Sequence, residues 1–302
     1  MPRHSSKSDA GRPRSAPPPA PCVSPWLADG YNVSPARVSS RHRCDVAPAQ
    51  RSDAATSQAR LAGLGTNRAH THPVIRETKH AGQDTDVVVT CLAAAPEAVR
   101  ASAALLSDAE RHRARRLAFD RDARRFIVAR ARLRELLAAR LGVGAESIEF
   151  EYGAHGKPAL SRRFAGADLH FNVSHCDDVA AYAFSCGHAI GIDLEAVRVM
   201  SDADDIAARY FSRRENTTYR TLNPRDRPQG FFNCWTRKEA FVKALGDGLS
   251  IPLDRFDVTL APGEPAKVLR VENTPGDSCG WRLDSFCPAA GYVAAIASQD
   301  RG

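Results

Sequence analysis

The sequence predicts an α+β fold, because short β-branched runs and amphipathic helices mix along it without a steady β-α-β alternation. Hydrophobic residues make up 43% of the 302, which is enough for a substantial core. The first 85 residues stand apart. They hold 10 of the 19 prolines and carry 12 Lys/Arg against 6 Asp/Glu, net +6, so nearly all of the formal charge of +7 lies there. With no sustained apolar period, this stretch is expected to be a disordered Pro/Arg/Ser-rich extension. Its Arg- and Ser-rich, acid-poor composition resembles that of transit peptides, but no clear amphipathic helix accompanies it, and a solvated tail or an over-long gene model is the reading adopted.

The elements follow in order. Residues 86–93 (Asp-Val-Val-Val-Thr-Cys-Leu-Ala) form a first strand by their β-branched content. Ser107 and Glu110 make a capping box that opens a helix. A second helix is expected over 120–140, with Phe126, Leu133, Leu137 and Leu141 as its core stripe and Gly142 as its stop. Residues 179–185 and 189–195 read as a hairpin turning at Gly187-His188. A helix near 202–210, a helix containing Trp235, and strands near 256–260, 268–271 and 292–297 complete the chain.

Residues 111–140 contain eleven arginines against Asp120, Asp122 and Glu135, a local net of +8 facing an otherwise acidic body. About half of these are expected to form a solvated helix face. The rest mark a phosphate-binding or acidic-partner surface, with Arg113, Arg116 and Arg125 as candidates. Eight cysteines with no C-x-x-C spacing read as reduced thiols rather than a disulfide or zinc framework. No apolar run approaches 18 residues and no apolar-centred signal opens the chain, so a soluble, cytoplasmic protein without membrane contact is expected.

The chemistry concentrates in two places. In Ile190-Gly191-Ile192-Asp193-Leu194-Glu195, residues two apart share a strand face, so Asp193 and Glu195 point together. Gly191 inside that strand marks the close approach of a ligand or another backbone. In the Trp235 helix, residues four apart share a face, which lines up Trp235, Glu239 and Lys243. If strand and helix pack together, three carboxylates, a cation and an aromatic converge. Such hard oxygen ligands suit Mg²⁺ with substrate phosphates. Separately, each motif has a plain reading: a strand's polar face, or a surface ion pair four residues apart. Ser174-His175 at a strand end, and Lys157 presented by the Gly156-Lys157-Pro158 turn, are further candidates for anion contact.

Taken in order, Gly156-Lys157-Pro158, Phe171-Asn172-Val173-Ser174-His175, Gly191-Ile192-Asp193-Leu194-Glu195 and Trp235-Thr236-Arg237-Lys238-Glu239-Ala240-Phe241-Val242-Lys243-Ala244 resemble the 4'-phosphopantetheinyl transferases, in their larger Sfp-type class. Tyr210-Phe211-Ser212 with Glu215, and Gly246-Asp247-Gly248-Leu249 with Pro252-Leu253, extend the resemblance, which covers 86 to about 298.

The resemblance implies two pseudo-symmetric halves, 86–187 and 188–299, with coenzyme A in the cleft between them. It further implies Mg²⁺ on Asp193, Glu195 and Glu239, phosphate contact and leaving-group stabilisation by Lys243, and nucleotide contacts from Lys157, Ser174 and His175. Arg113 to Arg125 correspond loosely to the family's basic segment near the nucleotide. The implied reaction moves the phosphopantetheine arm of coenzyme A to a serine of an acyl or peptidyl carrier protein, with Glu239 or a water taking the serine proton. A monomer acting on polyketide, nonribosomal-peptide or fatty-acid carriers, without nucleic acid, is expected. Where the family often has Ser-His-Ser, this chain has Ser174-His175-Cys176, so a thiol stands in place of the third-position hydroxyl. The residues by themselves also admit a Mg²⁺-dependent nuclease or phosphohydrolase. A nucleic-acid-binding protein is a further alternative, although the tail has few aromatics for stacking.

Overall fold

The computed structural model describes residues 74–79, 85–153, 156–246, 251–272 and 280–299. The elements are β1 (Val74–Lys79), β2 (Thr85–Cys91), α1 (Pro96–Ala104), α2 (Asp108–Arg115), α3 (Asp120–Leu141), β3 (Phe150–Tyr152), β4 (Pro158–Leu160), β5 (Leu169–Cys176) and β6 (Val179–Cys186). There follow β7 (Ile190–Ala196), α4 (Ala203–Tyr210), α5 (Arg213–Thr221), α6 (Arg227–Leu245), β8 (Phe256–Val258), β9 (Val268–Val271), β10 (Trp281–Phe286) and β11 (Tyr292–Gln299). The class is α+β.

Four layers stack, and the period-2 alternation of the strands builds them. In the sheet β1-β2-β6-β5, Val88, Ala180, Tyr182 and Phe184 face Val128, Leu133 and Leu137 of α3. Their sequence neighbours Val87, Val89, Ala181 and Ala183 face the other way, onto Ile192, Leu194, Ala294 and Ile296 of the sheet β10-β11-β7. That second sheet presents Val293, Ala295 and Ala297 on its outer side to Phe241 and Ala244 of α6. The order is therefore helix, sheet, sheet, helix.

Local signals act as expected at several ends. Ser107 and Glu110 form a reciprocal capping box on α2, and Gly142 closes α3 in the left-handed conformation at φ 67°. The same device, Ser212 with Glu215, opens α5.

One expectation needs correction, and two others gain detail. Residues 179–185 and 189–195 are not a hairpin: β6 already pairs with β2 on one edge and β5 on the other, so β7 has no edge to join. The turn at Gly187 (φ 72°) instead carries the chain from one sheet to the next, where β7 pairs with β11. The expected extension 1–85 includes Val74–Lys79, which is an edge strand held by its antiparallel ladder to β2; residues 1–73 and 80–84 lie outside the described residues. The arginine strip is only partly solvated. Arg115, Arg116, Arg121 and Arg124 are exposed, but Arg130 and Arg134 are buried beside Glu110. Arg134 pairs with that carboxylate at 2.8 Å and donates to the carbonyls of Ala145 and Ile148. A buried guanidinium persists only with such partners.

Candidate active site

The site begins at a glycine. On β7 the residues facing α6 are Gly191, Asp193 and Glu195. A Cβ at Gly191 would stand 2.1 Å from the carbonyl oxygen of Ala240 and 2.4 Å from the amide nitrogen of Ala244. The close approach marked by this glycine is thus to the backbone of α6. Backbone lies directly on backbone, and this brings Lys243 of α6 down beside Asp193.

Asp193 is buried and doubly held on one oxygen. Its Oδ1 accepts from Lys243 Nζ at 2.6 Å and from Ser174 Oγ at 3.0 Å, while its Oδ2 is buried with no hydrogen-bond partner. Glu195, also buried, leaves Oε2 without a hydrogen bond; Arg198 stands 3.9 Å from it. Burial first, then the Asp193 charge, pushes the Glu195 carboxyl up to about 8, although Arg198 and Lys243 oppose this and the Cys176 thiol bonds the carboxylate. Burial and Asp193 push Glu239 up to about 7, against Lys243. Burial works to lower Lys243, but Asp193 and Glu239 hold its ammonium above the ordinary value.

Three carboxylates therefore lie within mutual electrostatic reach of one lysine. Among the described residues, no group of three or more His, Cys, Asp or Glu side chains already stands as a metal shell. The donors nevertheless suit a hard divalent cation: all are carboxylate oxygens, and two of those oxygens are buried with no hydrogen-bond partner.

The seam between the sheets is held by side chains. Asn172 Oδ1 accepts from the Ile192 amide at 2.9 Å, and Ser174 Oγ accepts from the Leu194 amide at 3.2 Å. Two β5 side chains thus take the place of a backbone ladder to β7. Ser174 is 1% exposed and both roles of its hydroxyl are taken. In this arrangement the hydroxyl orients Asp193.

The other expected residues divide. Lys157, from the turn between β3 and β4, donates to the carbonyl of Lys243 and so reaches the end of α6. His175 is half-buried, and burial, Lys243 and Arg125 push its imidazole down to about 4, so it is neutral near neutrality. Arg125 bonds Asp178 at 2.8 Å, with Asp177 at 3.6 Å. Burial works to lower it, but these carboxylates hold the guanidinium above its ordinary value. It lies within the field of His175 but is committed to the aspartates. Arg113 lies 5.7 Å from the Phe126 ring, where α2 meets α3. Trp235 is core rather than site: it stacks on Phe231 and meets Tyr210 edge to face. Asp247, Gly248 and Leu249 lie outside the described residues.

Sequence reasoning missed the orienting role of Asn172 and Ser174, and the proximity of Cys176 and Arg198 to Glu195. The polar-every-second pattern of Asn172 and Ser174 in a buried strand was the available signal. A cavity of about 820 Å³ lies elsewhere, walled by Arg209, Arg213, Arg214, Arg255 and Arg270 of the C-terminal half. It does not contain the carboxylates, and its position carries none of the chemistry described here.

Comparison with known proteins agrees with the motif order. The family model described as the 4'-phosphopantetheinyl transferase superfamily matches residues 189–297, and the model for the 4'-phosphopantetheinyl transferase N-terminal region matches 93–187. The 4'-phosphopantetheinyl transferase HetI of Nostoc sp. is 40% identical over 195 residues, covering 65% of this chain and 79% of that protein. A 4'-phosphopantetheinyl transferase of Bacillus subtilis is 34% identical over 157 residues (52% and 67%), and Sfp of Bacillus subtilis strain 168 is 32% identical over 155 (51% and 66%). Nothing in these comparisons supports a nuclease or phosphohydrolase. Among the described residues, no helix is long and apolar enough to cross a membrane. The chain is an enzyme of the 4'-phosphopantetheinyl transferase superfamily, and of its Sfp type.

Proposed function

We propose that this enzyme takes coenzyme A as donor and transfers its phosphopantetheine arm to a serine of an acyl or peptidyl carrier protein in a Mg²⁺-dependent reaction. The observation that carries the reading is the 2.6 Å contact between Asp193 and Lys243, which joins two motifs lying fifty residues apart. In the reaction, the serine oxygen forms a bond to the β-phosphorus of coenzyme A. The bond from that phosphorus to the oxygen bridging the pyrophosphate breaks, and adenosine 3',5'-bisphosphate leaves with the electron pair.

Asp193, Glu195 and Glu239 would hold Mg²⁺, and the two unpartnered carboxylate oxygens support this assignment. When bound, the ion supplies Lewis-acid charge to the pyrophosphate, worth several kcal/mol. Lys243 adds a fixed cation on the leaving side. Glu239 accepts the serine proton, directly or through a water, for a gain of about 10²–10⁴ in rate. Lys157 and the neutral His175 bind the nucleotide phosphates as hydrogen-bond donors. The exposed Arg115, Arg116 and Arg124 suit the steering of an acidic carrier. A monomeric, cytoplasmic enzyme made of two halves, 86–187 and 188–299, completes the reading.

The test is mass spectrometry of several apo carriers incubated with the enzyme, coenzyme A and Mg²⁺. The expected result is a gain of the phosphopantetheine mass that is lost on chelation. Failure on every carrier type would refute the proposal.

A further inference from the structure

Helix α6 is buried on nearly every face, from Gly230 to Ala244. Apolar burial is non-directional, so a helix covered all round has little hydrophobic preference for one rotation about its axis. Directional bonds must select it. Two consecutive buried cations supply them. Lys238, 0% exposed, donates to Glu215 at 2.8 Å and to the carbonyls of Leu253 and Phe256, each at 2.6 Å. Glu215 is equally committed: Oε2 takes the Ser212 amide and Oε1 the Val258 amide, both at 2.7 Å. Arg237 adds bonds to the Thr259 carbonyl at 2.7 Å and to Ser285 Oγ at 3.1 Å.

We propose that the Glu215–Lys238 pair is a positioning device that sets the rotation of α6 and thereby the placement of the adjacent Glu239 and of Lys243. A buried, fully bonded ion pair is often replaceable by neutral groups without loss of stability, so stability alone does not account for it. The pair lies on the side of α6 facing α5 and β8, whereas Gly191 fixes the opposite side at contact distance. Rotation and depth are thus set by separate contacts.

The inference rests on the proposed reaction for its kinetic arm only. The double variant K238M/E215Q is neutral; the glutamine oxygen can accept only one of the two amides, Ser212 or Val258, that the carboxylate accepts. The variant is expected to fold with a lowered Tm, because the Leu253 and Phe256 carbonyls lose their donor, to lose about a hundredfold in kcat, and to keep its KM for coenzyme A within about threefold. Hydrogen exchange over residues 239–245 is expected to quicken. Wild-type kcat and wild-type exchange in the folded double variant would overturn the proposal, as would a rise confined to KM. Should that variant not fold, E215D/K238R keeps both charges and shifts the junction by about one methylene. A kcat loss of about tenfold supports positioning, and unchanged kcat overturns it. Exchange is measured without carrier, so a wild-type enzyme inactive on all carriers would sink the proposed reaction while the exchange result still judged this one.

Discussion

Helix α6 carries two buried lysine–carboxylate pairs five residues apart, and they are built differently. Around Lys238–Glu215, each carboxylate oxygen accepts a protein amide and the ammonium has three acceptors. Around Lys243–Asp193, one carboxylate oxygen is doubly bonded while Asp193 Oδ2 and the nearby Glu195 Oε2 accept nothing. Burial and charge are alike, so neither distinguishes a structural pair from a reactive one. The difference lies in leftover bonding capacity, because an unmet buried acceptor costs stability unless a ligand meets it.

The sharpest way to break this contrast is to remove the leftover acceptor. Asp193→Asn should abolish transfer, by at least about 10³-fold in kcat, with the fold retained; transfer assays beside a melting curve check it. Gly191→Ala is next. Its methyl meets the backbone of α6 at 2.1 Å, so the helix must shift, at about 1–3 kcal/mol in stability and about a hundredfold in rate. A glycine that merely eased a turn would give neither.

Ser174→Ala separates orientation from substrate contact. Losing the hydroxyl leaves the Leu194 amide unmet and Asp193 held by Lys243 alone, so stability should fall by about 1–3 kcal/mol and kcat by about tenfold, with KM for coenzyme A unchanged. A selective rise in that KM would instead show a direct nucleotide contact.

The smallest effect concerns His175. Its imidazole titrates at about 4 in the folded protein against 6.5 ordinarily, so the unfolded chain binds more protons between those values. Its contribution is complete above about pH 6.5 and is lost as the pH falls toward 4. Glu195 and Glu239, raised to about 8 and 7, act in the opposite sense as pH rises, so the readout is the difference between wild type and His175→Asn. That difference should shrink steadily from pH 6.5 to 4.

Much of this was legible locally. The period of two placed Asp193 and Glu195 on one face, the period of four aligned Glu239 with Lys243, and the Ser107–Glu110 box and Gly142 marked helix ends that the structure keeps. What was illegible depended on distant partners. The hairpin reading failed because the edges of β6 were filled by β2, almost ninety residues earlier, and by β5. Which arginines of the strip are buried could not be read locally, because Glu110, the partner of Arg130 and Arg134, lies on another helix. Trp235 shares a helical face with Glu239 by arithmetic, yet its ring belongs to the aromatic cluster with Phe231. The role of Ser174 needed the neighbouring strand to be present.

Because main chain touches main chain where α6 crosses β7, the spacing between Asp193 and Lys243 is set by covalent backbone for as long as position 191 carries no side chain. Core volume elsewhere in the two sheets can then change without altering how closely the strand and the helix approach.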